Sequence, residues 1–486
     1  MSVRVRYAPS PTGLQHIGGV RTALFNYFFA RSQGGRFILR VEDTDRERYD
    51  PKALTDIYET FDWLGIHWDE GPDVGGNYGP YVQSEREDLY RRHAEELLEK
   101  GLAYKAYETP EELEAMREKG GYDRSSRDLT EEQLAAYEAE GRKPVIRFKV
   151  PLEGDTVFED VILGRVKRKN KDIPADPVLL KSDGLPTYHL ANVVDDHHMQ
   201  ITHILRAQEW VPSGSLHVLL YKAFGWEPPV YCHLPMVMGK DGQKLSKRHG
   251  ATSAVEFRNQ GYLPEAIINY VTLLGWAYDD SREFFTVRDL EQLFSIEKIN
   301  KAPAVFDYKK LEWFNGVYIR EKTDAELEEL VLPFLKADGL VSDPATEEEL
   351  SVLRGAMPLI KERLKTLSDA PDLVRFLYRG VHDYDVTQAI PKKHTAEQAL
   401  DLLEEAEKLL EGFEERSDEE NENLFRSRAE ELDTKIGNLL MPVRVAVTGS
   451  RVSPPLFGSI RLIGAETTKE RIERAKELLR EHIGQG

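Results

Sequence analysis

The chain has 486 residues, of which 41% are hydrophobic, and a formal net charge of −20 at pH 7. This hydrophobic fraction excludes an intrinsically disordered chain, and the length corresponds to about three domains. The single cysteine, Cys232, excludes a disulfide scaffold and a metal site built from cysteines. No apolar run approaches the ~18 residues of a membrane span, and the N-terminal residues lack the apolar core of a secretory signal. The composition therefore predicts a soluble, cytoplasmic protein.

The charge balance of 65 basic against 85 acidic residues also limits the expected partners. It argues against non-specific binding of polyanions, which depends on broad basic surfaces. It still permits a nucleic-acid partner, because a basic groove can lie on an acidic protein.

The first fifty residues predict a βαβ unit. Residues 3–8 form a β-rich run that ends in the turn-forming sequence PSPTG. A helical pattern follows from Val20, and Gly34-Gly35 ends it before a second predicted strand at residues 37–41. In such a parallel sheet the first loop and the carboxyl end of the second strand lie at one edge, where ligands bind.

The next part of the chain predicts an insertion into this α/β domain. Capping boxes predict helix starts at Ser84, Thr109 and Thr130, each followed three residues later by Glu or Gln. Residues 145–180 have strand-like patterns, and TYHLANVVDD at 187–196 suggests a return to the sheet. From about residue 322 the pattern is helical almost to the end. Its predicted breaks are at Pro391, Pro442 and Pro454-Pro455.

Two loops are candidate phosphate sites. Residues 8–19 are mostly small, and the helix that follows directs its positive end at this loop. His16 can donate to a phosphate, with simple helix capping as the alternative. KLSKR at 244–248 combines three cations with a hydroxyl, which suits a loop that closes over a polyphosphate. It does not form a Walker A motif, and a solvated basic loop is the alternative.

Two polar segments are further candidates. Residues 42–45, EDTD, follow the second predicted strand, where a carboxylate can hold an ammonium group or a metal ion. A helix N-terminus is the alternative, because the helix dipole favours acids there. DDHH at 195–198 resembles a metal-binding sequence, but adjacent side chains point apart on a strand or a helix. We therefore interpret DDHH as structural.

The order and spacing of these motifs carry a family resemblance. SPTG, HIGG, RTALFN and RVEDTDRERY within residues 2–49, together with KLSKR, resemble the glutamyl branch of the class I aminoacyl-tRNA synthetases. LKSDGLPTYHLANVVDDHHM at 180–199, RAQEW at 206–210 and GNLLMPVRVAVTGSRVSPPLF at 437–457 are similar to further segments of that family. The resemblance covers nearly the whole chain.

The resemblance implies an α/β Rossmann-like class I catalytic domain with an α+β insertion, followed by an all-α anticodon-binding domain. The catalytic domain is expected in residues 1–105 and 188–249, split by an acceptor-binding insertion at 106–187. A linking region is expected at 250–322, and the helical anticodon-binding domain at 323–486.

The resemblance also implies an activity. In this family ATP and Mg²⁺ activate glutamate to glutamyl-adenylate, and glutamate then passes to the terminal adenosine of tRNA. No protein nucleophile is needed, so the task is alignment and neutralisation of the charge on the leaving pyrophosphate. The expected partners are glutamate, ATP and tRNA(Glu), with use of tRNA(Gln) left open. A monomer without membrane contact is expected.

Roles are carried over residue by residue. The expected catalytic residues are His16, Lys244 and Lys247. Those expected to bind glutamate are Arg6, Ala8, Ser10, Glu42, Tyr188, Asn192 and Arg206. Those expected to bind ATP are Pro9, His16, Gly18, Gly19, Glu209, Lys244, Ser246, Lys247 and Arg248. Arg6 and Arg206 are expected on the side-chain carboxylate of glutamate, and Ser10 and Glu42 at its amino group.

Two further expectations concern zinc and the anticodon. Many family members carry zinc in the insertion, on a CxC and CxH set. The corresponding positions here are Ala106, Glu108, Ser126 and Asp128. These residues do not supply that set, so no zinc is expected. Arg363 and Arg444 match positions that read anticodon bases, with a helix-surface arginine as the alternative for Arg363.

Three other functions compete with this one. A glutaminyl-tRNA synthetase shares the catalytic ancestry, but its anticodon region is a β-barrel, whereas this C-terminus is predicted to be helical. A nicotinamide-dependent oxidoreductase would need GxGxxG after the first strand, which is missing. A catalytically inactive paralogue that only binds tRNA is disfavoured by the intact His16, Lys244, Lys247 and Arg206.

Overall fold

The predicted N-terminal βαβ unit is present in the structure, a computed structural model that describes residues 2–382 and 384–485. It consists of β1 (Arg4–Tyr7), α1 (Ile17–Ser32) and β2 (Arg36–Leu39), and its two strands pair in parallel. The helix begins at Ile17 rather than at Val20, because His16 caps it. The loop between β1 and α1 therefore ends on a helix N-terminus, as the sequence predicted.

The chain divides into two units. The first holds residues up to 258 together with 264–308, and the second holds 259–263 and the residues from 309 onward. Among the described residues, no helix combines the length and the apolar character that crossing a membrane would require.

The first unit contains the remaining strands and ten of the helices. The strands are β3 (Ala103–Ala106), β4 (Val145–Phe148), β5 (Asp155–Asp160), β6 (Gly164–Lys169), β7 (Val178–Leu180), β8 (His203–Ala207), β9 (Val230–Leu234), β10 (Val237–Met238) and β11 (Ala304–Val305). The helices are α2 (Pro51–Leu64), α3 (Glu87–Glu99), α4 (Pro110–Glu118), α5 (Glu131–Ala139), α6 (Tyr188–His198), α7 (Val211–Phe224), α8 (Ala254–Asn259), α9 (Pro264–Thr272) and α10 (Val287–Leu293).

A four-stranded sheet with the order β6-β5-β9-β8 joins strands from residues 155–169 to strands from residues 203–234. β8 and β9 are parallel, and β5 joins β9 in parallel at a single pair, Asp160 opposite Tyr231. β5 and β6 are antiparallel, and β3, β4 and β7 form a separate antiparallel sheet. The hairpin of β5 and β6 lies within the predicted insertion at 106–187 and extends the sheet of β8 and β9. The domain boundaries stay a prediction.

The prediction that residues 187–196 return to the sheet as a strand is wrong, because they lie in and before helix α6. Leu190, Val193 and Val194 recur at helical spacing, and all three are fully buried against α3 and α7. A short apolar run without length cues does not distinguish a strand from a buried helix.

Of the three predicted capping boxes, those at Thr109 and Thr130 are present and that at Ser84 is wrong. The Ser84 hydroxyl donates to Asp43 Oδ2 at 2.6 Å, and its N–H donates to Asp43 Oδ1 at 2.8 Å. α3 begins at Glu87 without a side-chain cap. A tertiary carboxylate therefore takes the hydroxyl that the local pattern assigned to the helix.

The described residues of the second unit form helices and short 3₁₀ turns and no strand, which agrees with the predicted helical C-terminal part. Its helices are α11 (Tyr308–Glu321), α12 (Asp324–Ala337), α13 (Glu347–Ile360), α14 (Ala370–Tyr378), α15 (Ala396–Leu410), α16 (Asp418–Glu431), α17 (Ile436–Thr448) and α18 (Leu456–Gln485). α18 is interrupted at Gly464, which has φ 81° and ψ 164°. The predicted breaks at Pro391 and Pro454-Pro455 precede α15 and α18.

The break predicted at Pro442 is wrong, because α17 runs through this residue. A proline inside a helix costs about 3 kcal/mol, since it removes an N–H donor and its ring crowds the preceding turn. Leu439, Val443 and Val447 on the same helix are fully buried in the core that α15, α17 and α18 share. Burial of these side chains offsets the local cost.

Candidate active site

A cavity of about 1170 Å³ lies in the first unit beside the carboxyl ends of β1, β2 and β8. Fourteen of the residues predicted from the sequence line it: Arg6, Ala8, Ser10, His16, Gly18, Gly19, Glu42, Tyr188, Asn192, Arg206, Glu209, Lys244, Ser246 and Lys247. Pro9 and Arg248 are not in its wall. Pro9 is buried, with its carbonyl accepting from Glu42 N–H at 3.0 Å, and Arg248 pairs with Asp241 at 3.3 Å. The edge of the sheet predicted to bind a ligand is therefore the edge that is open.

The two loops with phosphate-binding character are joined by backbone hydrogen bonds. Ile17 N–H donates to the carbonyl of Thr252 at 2.7 Å, and Ala254 N–H donates to the carbonyl of Gln15 at 2.9 Å. These bonds tie the chain that follows KLSKR to the N-terminus of α1. The two loops, far apart in sequence, thus form one wall of the cavity.

His16 both caps α1 and offers a donor to the cavity. Its Nδ1 accepts from Gly18 N–H at 3.0 Å, so in the neutral ring the proton is on Nε2. Burial and the nearby charge of Lys244 lower the pKa of His16, which keeps the ring neutral. Capping and phosphate binding, the two alternatives for this residue, are compatible because they use different nitrogens.

Gly19 allows the backbone to approach β1 closely. A Cβ atom at this position would lie 2.8 Å from the hydroxyl of Tyr7. That hydroxyl donates to Gln15 Oε1 at 2.6 Å and is buried, so it has little freedom to move. A side chain at residue 19 would therefore displace a residue of the cavity wall.

The KLSKR loop presents two lysines in different electrostatic states. Lys244 forms a salt bridge with Glu209 across the cavity mouth, and both side chains are exposed. Lys247 is also exposed, and no carboxylate oxygen in the described part of the chain lies within 4.0 Å of its ammonium group. Lys247 therefore has its charge available for an anionic ligand.

Arg206 places a buried guanidinium in the cavity wall, and its partners among the described residues are all neutral. Its Nε donates to His233 Nε2 at 3.0 Å, and its Nη1 lies 3.2 Å from the Tyr188 hydroxyl and 3.3 Å from His217 Nδ1. Its Nη2 donates to the carbonyl of Trp210 at 3.3 Å. Only 5% of Arg206 is exposed. A buried charge without a counterion is costly, so this side of the cavity requires an anion.

Arg6 differs from Arg206 because the protein already neutralises its charge. Its Nε and Nη2 donate to the two carboxylate oxygens of Asp196, at 2.9 and 3.2 Å. Its Nη1 has no hydrogen-bond partner among the described residues. Arg6 can therefore offer one donor to a ligand, whereas Arg206 offers net positive charge.

A buried ionic network holds Arg6 and Glu42 in place. Arg40, which is fully buried, donates to Asp196 Oδ1 at 2.7 Å and to Glu42 Oε1 at 3.1 Å. Asp195, beside Asp196 on α6, accepts from Arg86 Nε at 2.7 Å. Burial raises the pKa of Glu42, although Arg40 opposes this shift. The two aspartates of DDHH thus serve the structure, in line with their interpretation from sequence.

Asn192 contributes an unpaired polar atom to the same wall. It is 1% exposed, and its Oδ1 has no hydrogen-bond partner within the described chain. A buried polar atom without a partner is costly, whichever way the amide is oriented. A polar ligand group in the cavity would satisfy it.

Comparison with known proteins identifies the family. Residues 2–313 match the family of class I tRNA synthetases (E and Q), catalytic domain. The chain belongs to this family. Residues 326–476 match an anticodon-binding domain family. These matches confirm the predicted fold class, and the family implies ATP and tRNA as substrates.

Individual relatives are similar along the whole chain. The glutamate–tRNA ligase of Borreliella burgdorferi is 59% identical over 487 residues, which cover 99% of each chain. That of Treponema denticola is 53% identical over 501 residues, which cover 98% of this chain and 99% of the relative. A crystal structure of a glutamate tRNA ligase from Elizabethkingia meningosepticum in complex with its amino acid has a TM-score of 0.84. It is 36% identical, with 99% of this chain and 100% of that chain covered.

The positions that correspond to the zinc ligands of other family members do not suit zinc. Ala106 has no donor atom in its side chain and is buried in β3. Glu108 Oε1 accepts from the hydroxyls of Ser126 and Tyr122, so hydrogen bonds already occupy it. Zinc in structural sites prefers thiolates and imidazoles. In the chain as described, no group of three or more His, Cys, Asp or Glu side chains is placed to hold a metal ion.

Both predicted anticodon arginines lie in the second unit, at the end of a 3₁₀ turn (Arg363) and on α17 (Arg444). Arg444 is half-buried and donates to the carbonyl of Pro454 at 3.0 Å. Burial and the charge of Arg363 lower the pKa of Arg444.

Sequence reasoning missed the residues behind Arg206. His217, His233 and Asp160 are buried and lie on α7, β9 and β5. The only sequence signal is a polar residue within an apolar run, as in VYCHL and SLHVLL. Such a histidine more often satisfies a core hydrogen bond, and only the fold shows that two of them face the same arginine.

Proposed function

We propose that this protein is a glutamate–tRNA ligase. It joins L-glutamate to ATP as glutamyl-adenylate, releases pyrophosphate, and transfers glutamate to the terminal adenosine of tRNA(Glu). The observation that carries this proposal is the buried guanidinium of Arg206, which faces the cavity and has only neutral protein partners.

The side chain of glutamate supplies the missing anion. Its carboxylate pairs with Arg206 and takes the remaining donor of Arg6, while Tyr188 and Asn192 complete the pocket. A glutamine amide in this place would leave the guanidinium without a counterion, so discrimination against it is strong. Ser10 and Glu42 are proposed to hold the amino group, and Ala8 leaves room for the backbone of the amino acid.

ATP occupies the other side of the cavity. Gly18 and Gly19 bring the phosphates to the N-terminus of α1, where His16 donates through Nε2. Further contacts with ATP are proposed for Pro9, Glu209, Lys244, Ser246, Lys247 and Arg248. Mg²⁺, when bound together with ATP, would offset part of the charge of the phosphates, as is usual for this ion. Lys244 and Glu209, both proposed to contact ATP, lie next to each other as a salt bridge.

The chain's residues stabilise charge and take no covalent part. An α-carboxylate oxygen of glutamate bonds to the α-phosphorus, the bond to the bridging oxygen breaks, and pyrophosphate leaves with the electron pair. Lys247 and His16 stabilise that charge as it develops. A terminal hydroxyl of tRNA then attacks the glutamyl carbonyl, AMP leaves with the electron pair, and the hydroxyl proton passes to AMP or solvent.

The helical second unit is proposed to bind the anticodon, with Arg363 and Arg444 as base contacts. The net charge of −20 requires that the basic residues for tRNA cluster locally. We further propose that the protein acts in the cytoplasm as a monomer. Whether it also charges tRNA(Gln) is decided by the experiment below.

The test is glutamate-dependent exchange of pyrophosphate into ATP, measured without tRNA, with tRNA(Glu) and with tRNA(Gln). Exchange that needs glutamate and tRNA(Glu) is the expected result. Exchange with tRNA(Gln) as well would identify a non-discriminating enzyme. Binding of tRNA without exchange under any condition would contradict the proposal and leave an inactive tRNA-binding paralogue.

A further inference from the structure

Arg206 is held by a set of hydrogen bonds on the side of its guanidinium that faces away from the cavity. The guanidinium donates its Nε proton to His233 Nε2 at 3.0 Å. His233 in turn lies 2.7 Å from Asp160 Oδ2 through Nδ1. Both side chains are completely shielded from solvent. Arg206 therefore sits at the end of a buried carboxylate–imidazole pair that does not itself line the cavity.

The carboxylate of Asp160 is held in place by hydrogen bonds on both of its oxygens. Its Oδ1 accepts the N–H groups of Ile162 and Leu163, both at 2.9 Å. Its Oδ2 accepts the backbone N–H of His233 at 3.1 Å as well as the ring Nδ1–H. Four donors satisfy this carboxylate in its ionised form, so it has no need to take a proton.

This arrangement determines the tautomer of His233. With Nδ1–H donated to Asp160, Nε2 is left with its lone pair directed at Arg206. Burial lowers the pKa of His233, and although Asp160 opposes this shift, the ring stays neutral beside the arginine. The ring also stacks on Tyr231, with 5.8 Å between centroids and 5° between planes, which restrains its orientation.

We propose that His233, oriented by Asp160, is a positioning residue that sets glutamate specificity by holding Arg206 through a neutral acceptor. A carboxylate in direct contact would orient Arg206 equally well but would also neutralise it, as Asp196 does for Arg6. Here the carboxylate of Asp160 is separated from Arg206 by the imidazole of His233. The guanidinium is therefore held in place while its charge stays available for the substrate. The inference rests on the proposed placement of the glutamate side chain at Arg206.

Two substitutions of His233 separate its two contacts. His233→Asn keeps a polar group near the Nδ1 position, toward Asp160, and removes the acceptor for Arg206. His233→Gln keeps an acceptor near the Nε2 position, toward Arg206, and loses the bond to Asp160. His203→Asn is the matched control, because His203 lies on β8, packs edge-to-face against Phe29 and has no described contact with Arg206.

Steady-state aminoacylation with the full chain gives KM for glutamate and for ATP in each variant. We expect His233→Asn to raise KM for glutamate at least about tenfold, since a bond to a charged group is lost. KM for ATP stays unchanged, His233→Gln has a smaller effect, and His203→Asn has none. An unchanged KM for glutamate in His233→Asn, or equal increases in both KM values, would overturn the proposal.

Two further measurements keep the inference separate from its premises. An unchanged KM for glutamate in Arg206→Gln would refute the placement of the substrate. A KM for glutamate that rises in Arg206→Gln but not in His233→Asn would refute only the role of His233. ¹⁵N NMR of histidine-labelled wild-type protein tests the tautomer without any substitution. A proton on Nδ1 and a bare Nε2 are expected, and a proton on Nε2 would also overturn the proposal.

Discussion

At the scale of single residues, the site depends on which charges the protein neutralises and which it leaves for ligands. Asp196 neutralises Arg6, and Glu209 neutralises Lys244. Arg206 and Lys247 lack such partners among the described residues and lie in the wall of one cavity. The two free charges therefore mark where anionic groups of the substrates bind.

Lys247→Ala tests the role of the free lysine. We expect kcat to fall by about a hundredfold, with smaller changes in KM for ATP and glutamate, because the contact forms with charge that develops in the transition state. Steady-state and pre-steady-state aminoacylation measure both quantities.

Lys240→Ala is the matched control for this substitution, because Lys240 precedes the same loop and its ammonium is paired with Asp307 at 2.9 Å. Its kinetic constants should match those of the wild type. Equal losses in kcat and in substrate affinity for Lys247→Ala would show that Lys247 binds the ground state only.

At the scale of elements, identical capping signals have different weight depending on what the helix packs against. Thr395 and Gln398 form a reciprocal capping box on α15, and Thr109 and Glu112 form one on α4. α15 buries four residues in the helical core, whereas α4 buries none. The stability of the cap on α15 is therefore coupled to the stability of its unit, whereas that of the cap on α4 is not.

Thr395→Ala is expected to lower the free energy of unfolding by about 1 kcal/mol, the usual cost of losing a capping side chain. Thr109→Ala, which removes the same chemistry from α4, should leave global stability unchanged, because that helix can fray locally. Urea unfolding of the two variants and the wild type, followed by circular dichroism, measures the difference. Equal losses in both variants would contradict the coupling.

Three predictions from local sequence patterns are wrong for a related reason. Local patterns at residues 187–196, Ser84 and Pro442 predict a strand, a cap and a break. The structure has a helix, a tertiary hydrogen bond and a continuous helix there. The structure of each segment depends on burial or on a partner distant in sequence. A window of neighbouring residues contains neither kind of information.

At the scale of the whole molecule, buried and half-buried histidines couple stability to pH. Eight histidines of the first unit have a lowered pKa: His16, His93, His189, His197, His198, His203, His217 and His233. Burial is the largest cause in each, and the pKa of His189 and of His198 falls to about 4. Below about pH 6.5 the unfolded chain therefore binds protons that the folded chain does not.

These histidines therefore make the protein less stable as the pH falls. A histidine with a depressed pKa contributes stability at neutral pH that is lost as the pH falls from about 6.5 toward the folded value, by at most about 1.4 kcal/mol per pH unit for each proton. Wild-type protein should thus lose more stability between pH 7 and pH 5 than the variant His198→Gln. Urea unfolding at both pH values measures this difference, and an identical loss in the two proteins would contradict it. The comparison with a variant cancels the change in net charge, which affects both proteins alike.

Local sequence patterns alone predict the βαβ unit, the helical C-terminal part and the family. These follow from local periodicity, turn residues and ordered motifs such as HIGG and KLSKR, which act over a few neighbouring residues. The same motifs also predict residues that line the cavity, among them His16, Arg206 and Lys247.

The way in which these residues are held and charged depends on contacts between distant segments of the chain. Asp196 pairs with Arg6 across 190 residues of sequence, and His233 reaches Arg206 from the neighbouring strand. Hydrogen-bond partners, burial and pKa shifts depend on distances between segments that the chain brings together only when it folds. For that reason the sequence identifies Arg6 and Arg206, and the structure shows that Arg206 has no carboxylate partner among the described residues.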